Sequence, residues 1–405
     1  MKNNTLFSPL THLILYSILL FLTPFLLVKN YMQNAISSLS QFSFNILFLE
    51  IRFLPLVFII FILTLVLVFY KKLNYKNISF GIVVLLMLLL GQISSDHYMI
   101  QKIYNIQNNW HYVAYLIFAI LMYNFLFSKK KSSEYIILLT FLAALLISTL
   151  DETFQKFMTN RVFDVSDIAK DVWGTIIGLI IVFFIYKKGE IYKKAWKLRK
   201  KSIKEYFKEP FTLLVLLSIF TYVLLFVSSL LTDFQYLTNI IFITILLFVF
   251  IFIIIHLTNF RLLRIFFSIL AVLGILYLGF TAIKTQNTSI KVLKKHFLIY
   301  QGIPLPYFDV MIKPNGVFKF MDKKQNFLQT DINMLFNQNA DIILIGSGFN
   351  GEGGKGFAQD SEAQFMFDPI SKKSIQLIIM ETRKASKEYN RLKKEGYKVL
   401  FIIHN

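Results

Sequence analysis

Nine stretches of this chain run for fifteen to twenty-two residues almost without charge. They are Leu10–Val28, Phe53–Phe69, Ile78–Ile93, Trp110–Phe127, Tyr135–Leu150, Val172–Tyr186, Phe211–Leu231, Leu237–Ile255 and Leu262–Ile283. A helix needs about 20 apolar residues to cross a hydrocarbon layer about 30 Å thick. Few soluble folds can absorb so many runs of this length. The expected fold class is therefore a multi-spanning α-helical membrane protein of about nine helices, followed by a small C-terminal α/β domain. Charged residues are only 16% of the chain, against the roughly one quarter usual in soluble domains.

The formal net charge is +20. Nucleic acid is excluded as a partner, because the Lys and Arg residues lie between apolar runs and in the tail. In a membrane chain that pattern sets topology and attracts anionic lipid. The absence of Cys excludes disulfides, thiolate metal sites and a Cys nucleophile. The first apolar run lacks a short core followed by a small-residue cleavage site, so it reads as a retained helix.

Basic clusters orient the helices. Lys71, Lys72 and Lys76 precede the third run, and Lys129, Lys130 and Lys131 follow the fourth. Residues 187–209 hold ten Lys or Arg against three Glu, and Arg261 and Arg264 flank the last turn. Alternating helices bring all of these to one side, the cytoplasm. Residues 151–171, with five acids and three bases, then lie outside, level with His111. Nine crossings also put the C-terminal domain outside. Phe42–Leu49 is apolar enough to form a broken or re-entrant element with Phe53–Phe69.

The stretch from Asp151 to Gly178 is patterned. Glu152 and Gln155 are three apart at the exit of one run. Arg161 follows. Asp164, Asp167 and Asp171 fall at i, i+3 and i+7, the spacing of one helix face. Gly174 and Gly178 form GxxxG, which lets membrane helices pack closely. Three of the apolar runs (Ile78–Ile93, Tyr135–Leu150 and Val172–Tyr186) are short, so flanking polar residues are expected at or just inside the interface. The order E-x-x-Q, R-x-F-D-x-x-D, a polar residue four further on and G-x-x-x-G resembles the VanZ family of small bacterial membrane proteins, over residues 78–186. Asp171 stands where that family usually has Asn. His111 and Tyr115 match its earlier His and Tyr, while Asn108 and Asn109 replace a charged pair.

The resemblance implies a protein of the bacterial plasma membrane linked to low-level, teicoplanin-type glycopeptide resistance, with no settled biochemical activity. Chemically, Arg161 suits a phosphate or carboxylate. His111 or Glu152 could serve as acid, base or hydrogen-bond donor. Gln155, Asp167, Asp171 and Tyr115 complete a candidate ligand site for an envelope lipid or peptidoglycan intermediate. The alternative is an internal ion-pair network in which Asp164 or Asp167 holds Arg161 and the helix ends. One His with several carboxylates could hold a metal, but the spacing matches no tight motif, and no cofactor is expected. Lone His12 and His256 read as interfacial.

After Ile283 the chain alternates short strands and helices. Strands are expected at Tyr307–Ile312 and Val317–Phe320 around the turn Pro314–Gly316, and at Asp341–Ile345, Ser374–Met380 and Val399–Ile403. A short helix is expected over Asp331–Asn337, and Thr382 is expected to cap a helix from Arg383 to Glu395, ended by Gly396. The glycine loop 346–351 is formally G-x-G-x-x-G, but the sequence after it is a poor helix, which argues against a nucleotide. The turn Pro314–Gly316, Gly346-Ser347-Gly348, Thr382, Ala385, Tyr389-Asn390, Leu392 and Glu395-Gly396 resemble the adipogenesis-associated Mth-domain family. That family includes an assembly factor, which implies a possible protein partner for this domain.

The resulting layout is N-terminal membrane helices at 1–77, a VanZ-like four-helix domain at 78–186 and a basic linker at 187–209. Three further membrane helices follow at 210–283, then a linker at 284–303 and the α/β domain at 304–405. A membrane-anchored assembly factor and a lipid-phosphate enzyme are the competing readings.

Overall fold

The computed structural model describes residues 8–22, 42–46, 49–53, 56–57, 60, 75–95, 106–157, 163–186, 191, 200, 202–232, 234–283, 290–323, 335–336, 338–351, 364–368 and 372–405. The chain forms two compact units. The first comprises Met1–Ser95, Ile100–Ser228 and Asn239–Asn259, and the second Asp96–Met99, Ser229–Thr238 and Phe260–Asn405.

The first unit is helical. Its elements are α1 (Pro9–Leu22), α2 (Tyr75–Ser95), α3 (Ile106–Ser128), α4 (Ser133–Gln155), α5 (Val165–Ile180) with a π-helical continuation over Ile181–Tyr186, α6 (Ile203–Lys208), α7 (Pro210–Leu230) and α8 (Leu237–Leu257). Among the described residues, six helical segments are long and apolar enough to cross a membrane: Ile78–Ser95, Trp110–Ser128, Ser133–Gln155, Val165–Ile185, Pro210–Leu230 and Phe234–Leu257. α1, with 14 residues, is shorter than a span. The run Phe53–Phe69 lies mostly outside the described residues. Part of Phe42–Leu49 is strand. Ser43–Ile46 (β1) pairs antiparallel with Leu49–Arg52 (β2).

α5 is the most enclosed helix, with fifteen of its residues buried. α3 and α4 flank it, and two glycines set its distance from α3. A Cβ on Gly174 would lie 2.5 Å from the Tyr112 carbonyl oxygen. One on Gly178 would lie 2.7 Å from the Leu116 oxygen and 2.8 Å from the Ala119 Cβ. Backbone meets backbone here because no side chain intervenes. α2 is fixed to α5 by Trp173 Nε1, which donates to the Met87 oxygen at 3.0 Å. The basic linker contains α6, whose buried Tyr206 hydroxyl accepts from the Lys200 amide and lies 3.3 Å from His256 Nδ1.

The second unit contains the apolar helix α9 (Arg261–Ile283) and the C-terminal sheets. The segment 284–303, read above as a linker, supplies β3 (Ile290–Lys294) and β4 (Phe297–Tyr300). These form an antiparallel meander with β5 (Ile303–Pro306). Its first turn hid in the sequence because His296 takes left-handed backbone without glycine, while the second, Gln301-Gly302, places both residues at positive φ. The main sheet has the order β7-β6-β11-β8-β10-β9. Its strands are β6 (Asp309–Ile312), β7 (Phe318–Met321), β8 (Ile342–Ser347), β9 (Gln364–Asp368), β10 (Lys373–Met380) and β11 (Val399–His404). β8 is parallel to β10 and β11, which explains the continuous apolar run of β8, buried on both faces. The expected helix over Asp331–Asn337 falls mostly outside the described residues.

α10 (Thr382–Lys394) crosses one face of the sheet. Thr382, Ala385, Ser386, Tyr389 and Leu392 form its buried stripe, at helical spacing. Its N-cap is Glu381, not Thr382. Thr382 is pulled inward, where its hydroxyl accepts from the Gly348 amide at 2.9 Å and donates to the His404 oxygen at 2.8 Å. Gly396, at φ +90°, ends the helix in the left-handed region that glycine tolerates. On the opposite face a polar cluster closes the sheet. His404 Nδ1 lies 2.7 Å from Asp309 Oδ2, and Lys323 Nζ donates to the Tyr307 oxygen at 2.8 Å and also to the Asn405 oxygen.

Candidate functional site

The polar residues of the 151–171 stretch are helical for the most part. α4 continues past its apolar run to Gln155, and α5 begins at Val165 rather than at Val172. Thr149 and Thr153 support the polar end of α4 by donating to the carbonyls of Leu145 and Thr149, at 2.7 and 2.6 Å. Asp164, Asp167 and Asp171 do not share one helix face as expected. Asp164 sits at the N-cap in extended conformation and accepts from the Ser166 amide at 2.7 Å. An Asp at that position satisfies a backbone donor that the helix itself cannot.

Glu152 closes the gap between the two helices. One carboxylate oxygen accepts from Gln155 Nε2 at 2.7 Å, and the other accepts from the Asp164 amide at 3.1 Å. Gln155 also donates to Asp151 at 3.0 Å. Both Glu152 oxygens are thus engaged in holding the end of α4 to the start of α5, and Glu152 is almost fully buried. That arrangement suits a clasp better than a proton-transfer group.

A second group lies one to two turns further along α5. Asp171 is 2% exposed and receives two contacts. Its Oδ1 lies 2.8 Å from His111 Nδ1, and its Oδ2 accepts from Ser148 Oγ at 2.6 Å. Three helices meet in that chain, with His111 from α3, Ser148 from α4 and Asp171 from α5. His111 Nε2 lies 3.7 Å from Asp167 Oδ2, and Lys170 Nζ donates to Asp167 Oδ1 at 2.7 Å. Tyr115, one turn beyond His111, is buried within electrostatic reach of Asp171 and Glu152. The His–Asp contact fixes the imidazole ring through one nitrogen and leaves the other toward Asp167, a geometry that can hold or pass a proton. Among the described residues, no group of three His, Cys, Asp or Glu is arranged to hold a metal.

Arg161 lies outside the described residues. The described charges are acidic on balance, with Asp151, Glu152, Asp164, Asp167 and Asp171 against Lys156, Lys170 and His111. Sequence reading passed over Ser148 and Lys170. Lys170 had a signal, since it follows Asp167 by three residues and an i,i+3 pair faces one side of a helix. Ser148 had none, because a Ser inside an apolar run most often bonds its own helix. Tyr112 was also missed. It packs under Gly174 and its hydroxyl lies 3.2 Å from Ser95 Oγ.

An apolar groove lies between α1 and α4. It is lined by Leu13, Ile14, Ser17 and Ile18 on α1 and by Ile147 and Leu150 on α4. Ile147 and Leu150 bracket the turn that carries Ser148. α1 is held there by Tyr16, whose hydroxyl donates to the Ala114 oxygen at 2.9 Å.

No protein-family model matches the chain, and no curated protein matches it in sequence. Among solved structures, a chain titled MT938 aligns with 19% identity over 29% of this chain and 96% of its own, at a TM-score of 0.23. A likeness of that degree carries no argument about fold or function.

Proposed function

We propose that this chain is a multi-pass protein of the bacterial plasma membrane. In this reading its VanZ-like helices bind an envelope lipid or a lipid-linked cell-wall intermediate at the outer face. The observation that carries it is the Ser148–Asp171–His111 chain, with the Lys170–Asp167 pair beside it. Ionisable residues within membrane helices are costly and usually serve a site. Asp171 and Lys170 are both at least 95% buried. The apolar groove between α1 and α4 supports a ligand with an acyl tail, since its lining residue Ile147 precedes Ser148 on α4.

The excess of carboxylates among the described residues favours hydroxyl, amide or amino groups of the ligand at His111, Asp167 and Asp171. A phosphate or carboxylate on the same ligand falls to Arg161. The family resemblance links this activity to teicoplanin tolerance, and that supplies the test. Cells carrying the full chain should tolerate more teicoplanin than cells without it. His111→Ala and Arg161→Ala chains, inserted at equal levels, should lose the gain. Retention by both variants would overturn the reading.

A further inference from the structure

The C-terminal α/β domain carries a surface that the membrane-helix site does not explain. α10 turns Arg383, Lys384, Lys387, Arg391 and Lys394 outward, all exposed. Its acids are Glu381, Glu388 and Glu395. Lys384 lies 3.2 Å from Glu381, and Arg391 reaches both Glu388 and Glu395 at 2.5 Å. Arg383, Lys387 and Lys394 therefore give the helix a net positive outer face.

Beside α10, at the sheet edge, β9 exposes Phe365 and Phe367, 63% and 64% accessible. Their register partners on β10 are Gln376 and Ser374, both exposed. The intervening pair, Met366 and Ile375, packs into the core on the opposite face. Side chains alternate along a strand, so Phe365 and Phe367 point to the side of the sheet that α10 covers. Cations and aromatic rings share one side of the domain.

That side is also where the chain arrives. Six residues, 284–289, separate α9 from β3. An extended chain of that length spans at most about 25 Å. The Asn390 side chain on α10 holds the entry point by accepting from the Ile290 amide and donating to the Ile290 oxygen, each at 2.9 Å. The Tyr277 hydroxyl of α9 donates to the Gly302 oxygen at 2.7 Å, in the small sheet packed on the α10 side. α9 itself exposes Leu270, Ile275 and Leu276 among many apolar side chains, a surface that suits lipid.

We infer that the α10 side of this domain docks on the anionic lipid surface of the membrane that holds the chain, with Phe365 and Phe367 entering the interface. Clustered Lys and Arg next to a membrane helix are drawn to anionic headgroups, and aromatic rings settle at the headgroup level. Neither the cations nor the Phe pair is needed by the domain's own core.

The chain has no Cys, so one placed at Ser374 can be labelled alone. The full-length Ser374→Cys protein, carrying a fluorophore, is reconstituted with shallow nitroxide-labelled lipid. One set of vesicles is phosphatidylcholine, and the other is phosphatidylcholine with phosphatidylglycerol. Quenching is expected in the anionic vesicles only. It should fall in high salt, which screens exposed charges. It should also fall in the Arg383→Glu, Lys384→Glu, Lys387→Glu variant, and separately in Phe365→Ser, Phe367→Ser. Absence of quenching in anionic vesicles, or equal quenching in both kinds, would overturn the inference. The result does not depend on ligand binding at Asp171, so this inference and the proposed function can fail independently.

Discussion

Gly174 is where the close approach of α3 and α5 can be broken by a single methyl group. A Cβ there would stand 2.5 Å from the Tyr112 carbonyl oxygen and 2.8 Å from the Tyr112 Cα. The first separation falls 0.9 Å short of the 3.4 Å at which ordinary contact begins. The obstacle is backbone, so no rotamer relieves it and the helices must part. Overpacking of this kind costs about 1–3 kcal/mol. The damage extends to the site, because His111 adjoins Tyr112 and Asp171 lies three residues before Gly174. Parting by that amount would take the 2.8 Å contact between His111 and Asp171 to about 3.7 Å, beyond hydrogen-bond range. Gly81 on α2 is the control, since nothing lies within 4 Å of a Cβ placed there. Replacing Gly by Ala in an unobstructed helix gains up to about 1 kcal/mol. Thermal melts of the full chain in detergent, followed by tryptophan fluorescence, should show Gly174→Ala melting below the parent protein and Gly81→Ala at or above it. Gly174→Ala melting with Gly81→Ala would refute the reasoning.

Two further predictions concern the C-terminal domain. Thr382→Val strips the Gly348 amide and the His404 carbonyl of their buried partner and should cost about 2–4 kcal/mol, at 1–2 per lost bond, while Thr382→Ser restores most of it. Hydrogen exchange in β8 and β11 of the full chain reads this loss. Burial pushes the Lys323 ammonium below its ordinary 10.5, against the opposing pull of Asp309. The folded domain then binds that proton less tightly than the unfolded chain, so its stability rises with pH. The gain is complete above 10.5 and is lost as pH falls through the folded value. Exchange protection of β6 and β11 measured across the alkaline range should show this slope, and Lys323→Met should flatten it.

Six long apolar helices were legible because apolar length and the absence of charge suffice to find them. Their polar ends were not. The hydropathy of Leu150 and Val172 marks where an apolar run stops, whereas the hydrogen bonds of Glu152, Asp164 and the Thr149–Thr153 pair decide where the helix stops. GxxxG marked the two glycines without naming the helix against them, which the close approach to Tyr112 and Leu116 identifies as α3. His111, Asp171 and Glu152 could be picked out as ionisable residues at the ends of apolar runs. Their surroundings could be read only in part, because Lys170 follows Asp167 at a legible i,i+3 spacing whereas Ser148 meets Asp171 through a contact that no spacing announces. In the C-terminal domain the parallel strands β8, β10 and β11 stood out as continuous apolar runs. The β3–β5 meander did not, because its first turn uses His296 at positive φ in place of the usual Gly or Asn, and only Gly302, behind Gln301, marks the second. Thr382 looked like a cap because Thr before a helical run usually is one. The partners that drew it inward are Gly348 and the far end of β11.

The central claim is that the polar group inside the helices holds a lipid-type ligand, and native mass spectrometry of the purified full chain tests it most directly. His111→Ala is the variant to compare, because it removes the ring that meets Asp171 and Asp167 and leaves the Ser148–Asp171 bond in place. The account predicts that the parent protein retains a lipid-sized adduct through gentle detergent removal. The variant should lose that adduct while both keep the same background of bulk phospholipid. An identical adduct pattern in the two proteins, with the same melting temperature, would contradict the claim and leave the Ser148–Asp171–His111 chain as a helix fastener alone.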